Sequence, residues 1–142
     1  MRLAAMMLTM LAACAAPQPA AEDAAGLPYV EIGEGSGFSG STTFRVLADG
    51  RWTLDIFDPF AAPVSRQGDA GPAAHAAARA AALEGIAALG PVSPVACPDY
   101  GTDFVTVSDG DAVVAEVSAA CPGTGVPEVI LAVRQAFSAA AP

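Results

Sequence analysis

Thr42-Thr43-Phe44-Arg45-Val46-Leu47-Ala48-Asp49-Gly50-Arg51-Trp52-Thr53-Leu54-Asp55-Ile56-Phe57 is the stretch that decides the fold. Phe44 and Val46 alternate with polar residues before Asp49-Gly50, and Trp52, Leu54 and Ile56 alternate after it. A period of two puts one set of side chains on one face of a strand. Asp-Gly between two such runs signals a hairpin, expected here as a type I′ turn with positive φ at both central residues. The same grammar recurs at Phe104-Val105-Thr106-Val107-Ser108, Asp109-Gly110, and Asp111 to Ser118, whose arms are rich in valine.

A helix is expected after each hairpin. Pro72 to Leu89 opens on proline, runs mostly through alanine and stops at Gly90-Pro91. Leu83, Ile86 and Leu89 are spaced to share one face, Arg79 and Glu84 fall away from it, and Gly85 weakens the helix by about 1 kcal/mol relative to alanine. Val126, Ile130, Val133 and Phe137 set the second helix, behind Thr124 as a cap and Pro127 in the first turn. Val30 and Ile32 around Glu31 suggest a further short strand from Leu27 to Gly33. Gly33 to Gly40 reads as a glycine-rich loop, and Asp58 to Gly71, broken by Pro59, Pro63 and Gly68, as another. The expected fold is α+β: an antiparallel sheet of two Asp-Gly hairpins, with a possible fifth strand, and two helices packed on one face.

The 142 residues suffice for one domain with a real core, expected over residues 27–140. Hydrophobic residues make up 54%, but alanine carries that figure, and no apolar run after Ala13 approaches the length needed to span a bilayer. Every basic residue is arginine, six against fifteen acids, for a net charge of −9. An acidic body of this kind repels nucleic acid and anionic headgroups, which argues against both as partners of the domain.

The first thirteen residues place Arg2 ahead of a short uncharged apolar run and then small residues, the layout of an export signal. Leu11-Ala12-Ala13-Cys14 resembles the lipobox of bacterial lipoproteins. That resemblance implies cleavage before Cys14, acylation of its thiol and usually of its freed amine, and a membrane anchor made of lipid. Two or three acyl chains hold durably where one does not. The alternative is ordinary cleavage near Ala16, leaving a secreted protein. Among lipoproteins of Gram-negative cells, Ala15 rather than Asp after the cysteine implies the outer membrane, facing the periplasm. Residues 14–26 hold no large apolar side chain except the thiol and read as a tether. With Cys14 acylated, Cys97 and Cys121 remain, and in an oxidising compartment an even remainder reads as a disulfide. The competing two-cysteine metal site lacks further ligands, His75 being the single histidine.

Several chemical motifs are approached and missed. Gly35-Ser36-Gly37-Phe38-Ser39-Gly40 matches G-x-G-x-x-G, but a strand follows where the dinucleotide fingerprint needs a helix, so no cofactor is expected. Gly37-Phe38-Ser39-Gly40-Ser41 departs from the nucleophile elbow in its last residue and context. His75, in the first turn of an alanine helix, reads as a solvated residue rather than a base, and no catalytic set is assigned. Asp99, Asp103, Asp109 and Asp111 crowd the second hairpin without the spacing of a calcium loop, and no metal site is assigned. What stays is a mobile loop at Gly35, Gly37, Phe38 and Gly40 that offers Phe38 to a partner or folds it onto the sheet.

From Gly35 to Leu54 the glycine-rich loop, Phe-x-Val-x-x-Asp-Gly and an alternating strand resemble small bacterial domains of the emfourin type. Those domains inhibit metallopeptidases, and the resemblance implies binding to an envelope protein such as a peptidase, with no inhibitory residue carried over. The expected function is that of a membrane-anchored protein-binding module rather than an enzyme. An envelope enzyme or metal-dependent hydrolase, and a purely structural lipoprotein, are the alternatives.

Overall fold

The computed structural model describes residues 26–36, 38–93 and 96–142. The signal segment, Cys14 and nearly all of the tether lie outside the described residues, as does Gly37. Six strands form a single antiparallel sheet: β1 (Tyr29–Ser36), β2 (Gly40–Leu47), β3 (Arg51–Phe57), β4 (Val64–Asp69), β5 (Asp103–Asp109) and β6 (Ala112–Ala119). Two helices, α1 (Gly71–Leu89) and α2 (Val126–Ala140), complete the α+β fold.

The spatial order is β4-β3-β2-β1-β5-β6. The segment expected to be an optional fifth strand is therefore the centre of the sheet, between the two Asp-Gly hairpins. Its register explains why. Val30 lies opposite Val46 and Val107, and Ile32 opposite Phe44 and Val105, so three strands stack their apolar residues on one face. Val30, Ile32, Val46, Val105 and Val107 are all essentially inaccessible to solvent. Burying side chains of this size contributes about 1.5–3 kcal/mol each.

Three expectations about loops change. The glycine-rich stretch is mostly strand: β1 runs to Ser36 and β2 starts at Gly40. Gly33 sits there because the Phe104 ring lies against it, where a Cβ would collide with the ring. The stretch from Asp58 to Gly71 contains β4, so the first hairpin is followed by another strand before its helix, and hairpin-then-helix does not repeat strictly. The turns also differ from type I′. Gly50 has φ 97°, but Asp49 does not have positive φ, and the Gly50 N–H donates to Leu47 O at 2.9 Å. That is a three-residue loop with glycine in the left-handed position. In the second hairpin positive φ falls on Gly110, the first central residue, as in a type II′ turn.

Both helices pack on the same sheet face, against a core that includes Ala78, Ala82, Val126, Val129, Ile130 and Val133. In α2 these are the residues expected from helical spacing, with Val129 added. In α1 the buried stripe is Ala74, His75, Ala78 and Ala82, while Leu83 is exposed. Alanines on every side of α1 conceal which stripe faces inward. The helices approach closely at Gly85, since a Cβ there would lie 2.6 Å from Val129 Cγ1. Among the described residues no helix is long and apolar enough to cross a membrane.

Cys97 and Cys121 are bonded, with Cα atoms 5.0 Å apart. The Cys97 N–H donates to Ala120 O at 2.7 Å, and Ala96 bridges Ala120 in parallel. The disulfide thus ties the approach to β5 to the exit of β6, next to the segment that enters α2.

Candidate partner-binding surface

The two ends of the sheet differ. At one end Gly26, where the described chain begins, lies beside the Gly110 turn, and the Ala48 N–H donates to Pro28 O at 2.8 Å. The Asp49-Gly50 and Asp109-Gly110 turns and the start of α1 gather there. The other end lies across the length of β1, eight residues or about 25 Å away. It carries the β1–β2 turn, the β3–β4 loop and the approach to β5.

That far end is where the chain leaves aromatic groups in water. Phe38 at the β1–β2 turn is 70% exposed, Phe57 at the end of β3 is 54% exposed and Phe60 in the β3–β4 loop is 91% exposed. Local bonds hold the backbone that presents them. The Ser39 N–H donates to Ser36 Oγ at 2.9 Å, and the Phe60 N–H donates to Asp58 Oδ1 at 2.8 Å. Gly40, with φ 91°, lets the turn close against Phe57, whose carbonyl oxygen would collide with a Cβ at that position. Of the expected loop residues, then, Phe38 is offered outward, Gly40 shapes the turn, Gly35 belongs to β1, and Gly37 lies outside the described residues. Nothing local in the sequence marks Phe57 and Phe60, because only the β2–β3 and β3–β4 pairings bring them to the same end of the sheet as Phe38.

A hollow of about 390 Å³ opens at the same end, lined by Glu34, Ser39, Phe57, Asp58, Tyr100 and Asp103 among others. Asp103 is buried at 6% exposure and accepts a hydrogen bond from the Tyr100 hydroxyl at 2.8 Å. Holding that proton raises the Tyr100 pKa above the ordinary phenol value. Glu34 is paired with Arg134 of α2 at 2.7 Å. The four aspartates do not converge: Asp103 and Asp109 stand at opposite ends of β5, where Asp103 accepts from Tyr100 and Asp109 pairs with Arg79 at 2.9 Å, Asp99 precedes the first and Asp111 follows the second. Among the described residues no group of three or more metal-ligating side chains occurs.

A second, more apolar hollow of about 420 Å³ lies where α2 overhangs β2 and β3, lined by Phe44, Trp52, Leu54 and Phe137 with Thr42, Arg134 and Ser138. Phe137 meets Phe44 edge-on at 4.9 Å between ring centroids. Trp52 and Leu54 are only partly buried here.

His75 is the residue placed most differently from expectation. It is 7% exposed, inside the α1 stripe, and its Nε2 has no hydrogen-bond partner. Burial first, and then the charge of Arg79, lower its pKa, against the opposing pull of Asp109 and Asp49. Arg79, expected to point away, reaches Asp109 at the β5–β6 turn, and its Nη1 is buried without a partner. His75 lines neither hollow. Compared with models of known protein families and with curated proteins, the sequence matches none.

Proposed function

We propose that this chain is a lipid-anchored lipoprotein of the cell envelope whose domain docks a protein partner through its aromatic end. The observation that carries the reading is the gathering of Phe38, Phe57 and Phe60 in water at one end of a well-packed sheet. Side chains of this size left exposed together mark contact surfaces, because covering them recovers their transfer free energy. Their position opposite the point of chain entry supports the same reading. A tether leading from Cys14 to Gly26 joins the domain at the end that carries no such aromatic cluster, leaving the phenylalanines open to a partner. The likeness to emfourin-type inhibitors suggests a peptidase as that partner.

The anchor and the docking surface are tested separately. Intact mass of the native protein purified from membranes is expected to show a chain beginning at diacylated Cys14; an unacylated chain starting elsewhere overturns the anchor. For the surface, photo-crosslinkers placed at Phe38 and Phe60 in intact cells are expected to capture one envelope protein in common. A crosslinker at Glu84, on the exposed side of α1, is expected not to capture it. Equal capture from all three positions overturns the assignment of the surface.

A further inference from the structure

We propose that the free edge of β4 is the seat of a second copy of this chain, paired antiparallel about Gln67 so that two six-stranded sheets become one. The two edges of the sheet are not alike. β6 is guarded, with a register irregularity opposite Val107 and Ser108, Glu116 in mid-strand, and Ala96 bridged beside its end. β4 has neither the irregularity nor the flanking bridge, and its mid-strand charge is Arg66. Its six residues, Val64-Ser65-Arg66-Gln67-Gly68-Asp69, pair only with β3, carry no proline, lysine or bulge, and leave Ser65, Arg66 and Gln67 exposed. An unguarded edge is a template for another strand.

Any extended chain satisfies an edge backbone; the side chains single out a second copy. A two-fold axis perpendicular to the sheet pairs residues of the same parity, because directly opposed residues share a face. An axis through Arg66 sets two guanidinium groups against each other. An axis through Gln67 sets Gln67 against its own copy, Ser65 against Asp69, and Arg66 against Gly68. The last match is the specific one. Gly68 lies against the Trp52 ring, where a Cβ would come within 2.7–2.9 Å of the indole, so each Arg66 arrives beside the indole of the other copy. Arg66 has no ion-pair partner among the described residues, and a cation over an indole is the favourable form of that contact. The matching occurs twice by symmetry, and no like charges are opposed. A six-residue pairing alone buries less than the roughly 1,000 Å² of a durable interface, so covalent capture is the appropriate test.

Gln67→Cys in the full chain, produced in its native compartment, puts two thiols on the axis with Cα atoms about 5 Å apart, within disulfide reach. Thr53→Cys lies beside Gln67 on the same face but one strand inward, where the two copies are about 14 Å apart. The expected result is a non-reducing homodimer for Gln67→Cys, with peptide mapping that joins the two introduced thiols to each other, and none for Thr53→Cys. Adding Arg66→Glu is expected to lower the dimer fraction about fivefold or more without changing the melting temperature of the monomer. Dimer yield no higher than for Thr53→Cys, or capture of a different protein by the thiol of Gln67→Cys, overturns the second copy as occupant. An undiminished yield with Arg66→Glu overturns the register.

Discussion

Replacing Gly85 with alanine separates two opposing effects, and the structure decides which wins. In an exposed helix interior the exchange gains about 1 kcal/mol from intrinsic propensity. At Gly85 the added methyl would meet Val129 at three atoms: Cγ1 at 2.6 Å, Cγ2 at 3.0 Å and Cβ at 3.2 Å. Turning the Val129 side chain does not relieve a contact that includes its Cβ, and Val129 is 5% exposed inside the core. The helices must separate or shear, and overpacking of this kind costs about 1–3 kcal/mol. Gly85→Ala is therefore expected to be neutral to destabilising by up to about 2 kcal/mol, where propensity alone predicts a gain. In a Val129→Ala background the two Cγ contacts are gone and only the 3.2 Å approach to Cβ remains, so the same exchange is expected to stabilise by up to about 1 kcal/mol, a coupling on the order of 1–2 kcal/mol across the cycle. Urea melts of the four proteins measure it. Equal stabilisation by Gly85→Ala in both backgrounds refutes the close helix contact.

Removing the disulfide by Cys97→Ser and Cys121→Ser together, which opens a loop with a sequence separation of 24, is expected to cost roughly 3 kcal/mol, or on the order of 10 °C in thermal melts; reductant should then have no further effect. His75 has a lowered pKa in the fold, so the unfolded chain binds its proton first. The stability it supplies is complete above about pH 6.5 and falls as pH drops through the lowered folded value. Denaturant melts at pH 7.5 and 5.5 should show this loss, and His75→Leu should abolish most of it; an unchanged slope places the imidazole in water. Phe60→Ala is expected to alter stability by less than about 0.5 kcal/mol while Phe44→Ala costs about 3 kcal/mol or more. Calorimetry showing similar losses for both would remove the distinction between the aromatic end and the core.

The parts of the fold legible in the sequence are those whose residues declare a face. Trp52, Leu54 and Ile56, or Val126, Ile130 and Val133, alternate or recur at a clear period because one side of the element is greasy and the other wet. α1 is legible as a helix but not in its orientation. Ala74, Ala78 and Ala82 differ from their neighbours only in where they end up, so the burial of His75 could not be read from the stripe around it. β4 escaped because an edge strand with little cover needs no alternation, and Gly68 and Pro63 look like loop until the Trp52 ring is seen lying on the glycine. The far end of β1 escaped for a related reason, Gly33 being required by the Phe104 ring rather than by a turn. Phe38 was legible as a candidate contact residue; Phe57 and Phe60 join it only through the pairing of Ser41 with Phe57, a long-range register no local pattern reveals.

Trp52 is the one indole in the chain, and it rests on Gly68 next to the open strand edge with Phe137 6.4 Å away. Its emission maximum and its accessibility to a soluble quencher consequently report on one place only. Any strand that arrives at β4, whatever its origin, changes the signal of the wild-type protein without a label, giving an optical titration of that edge.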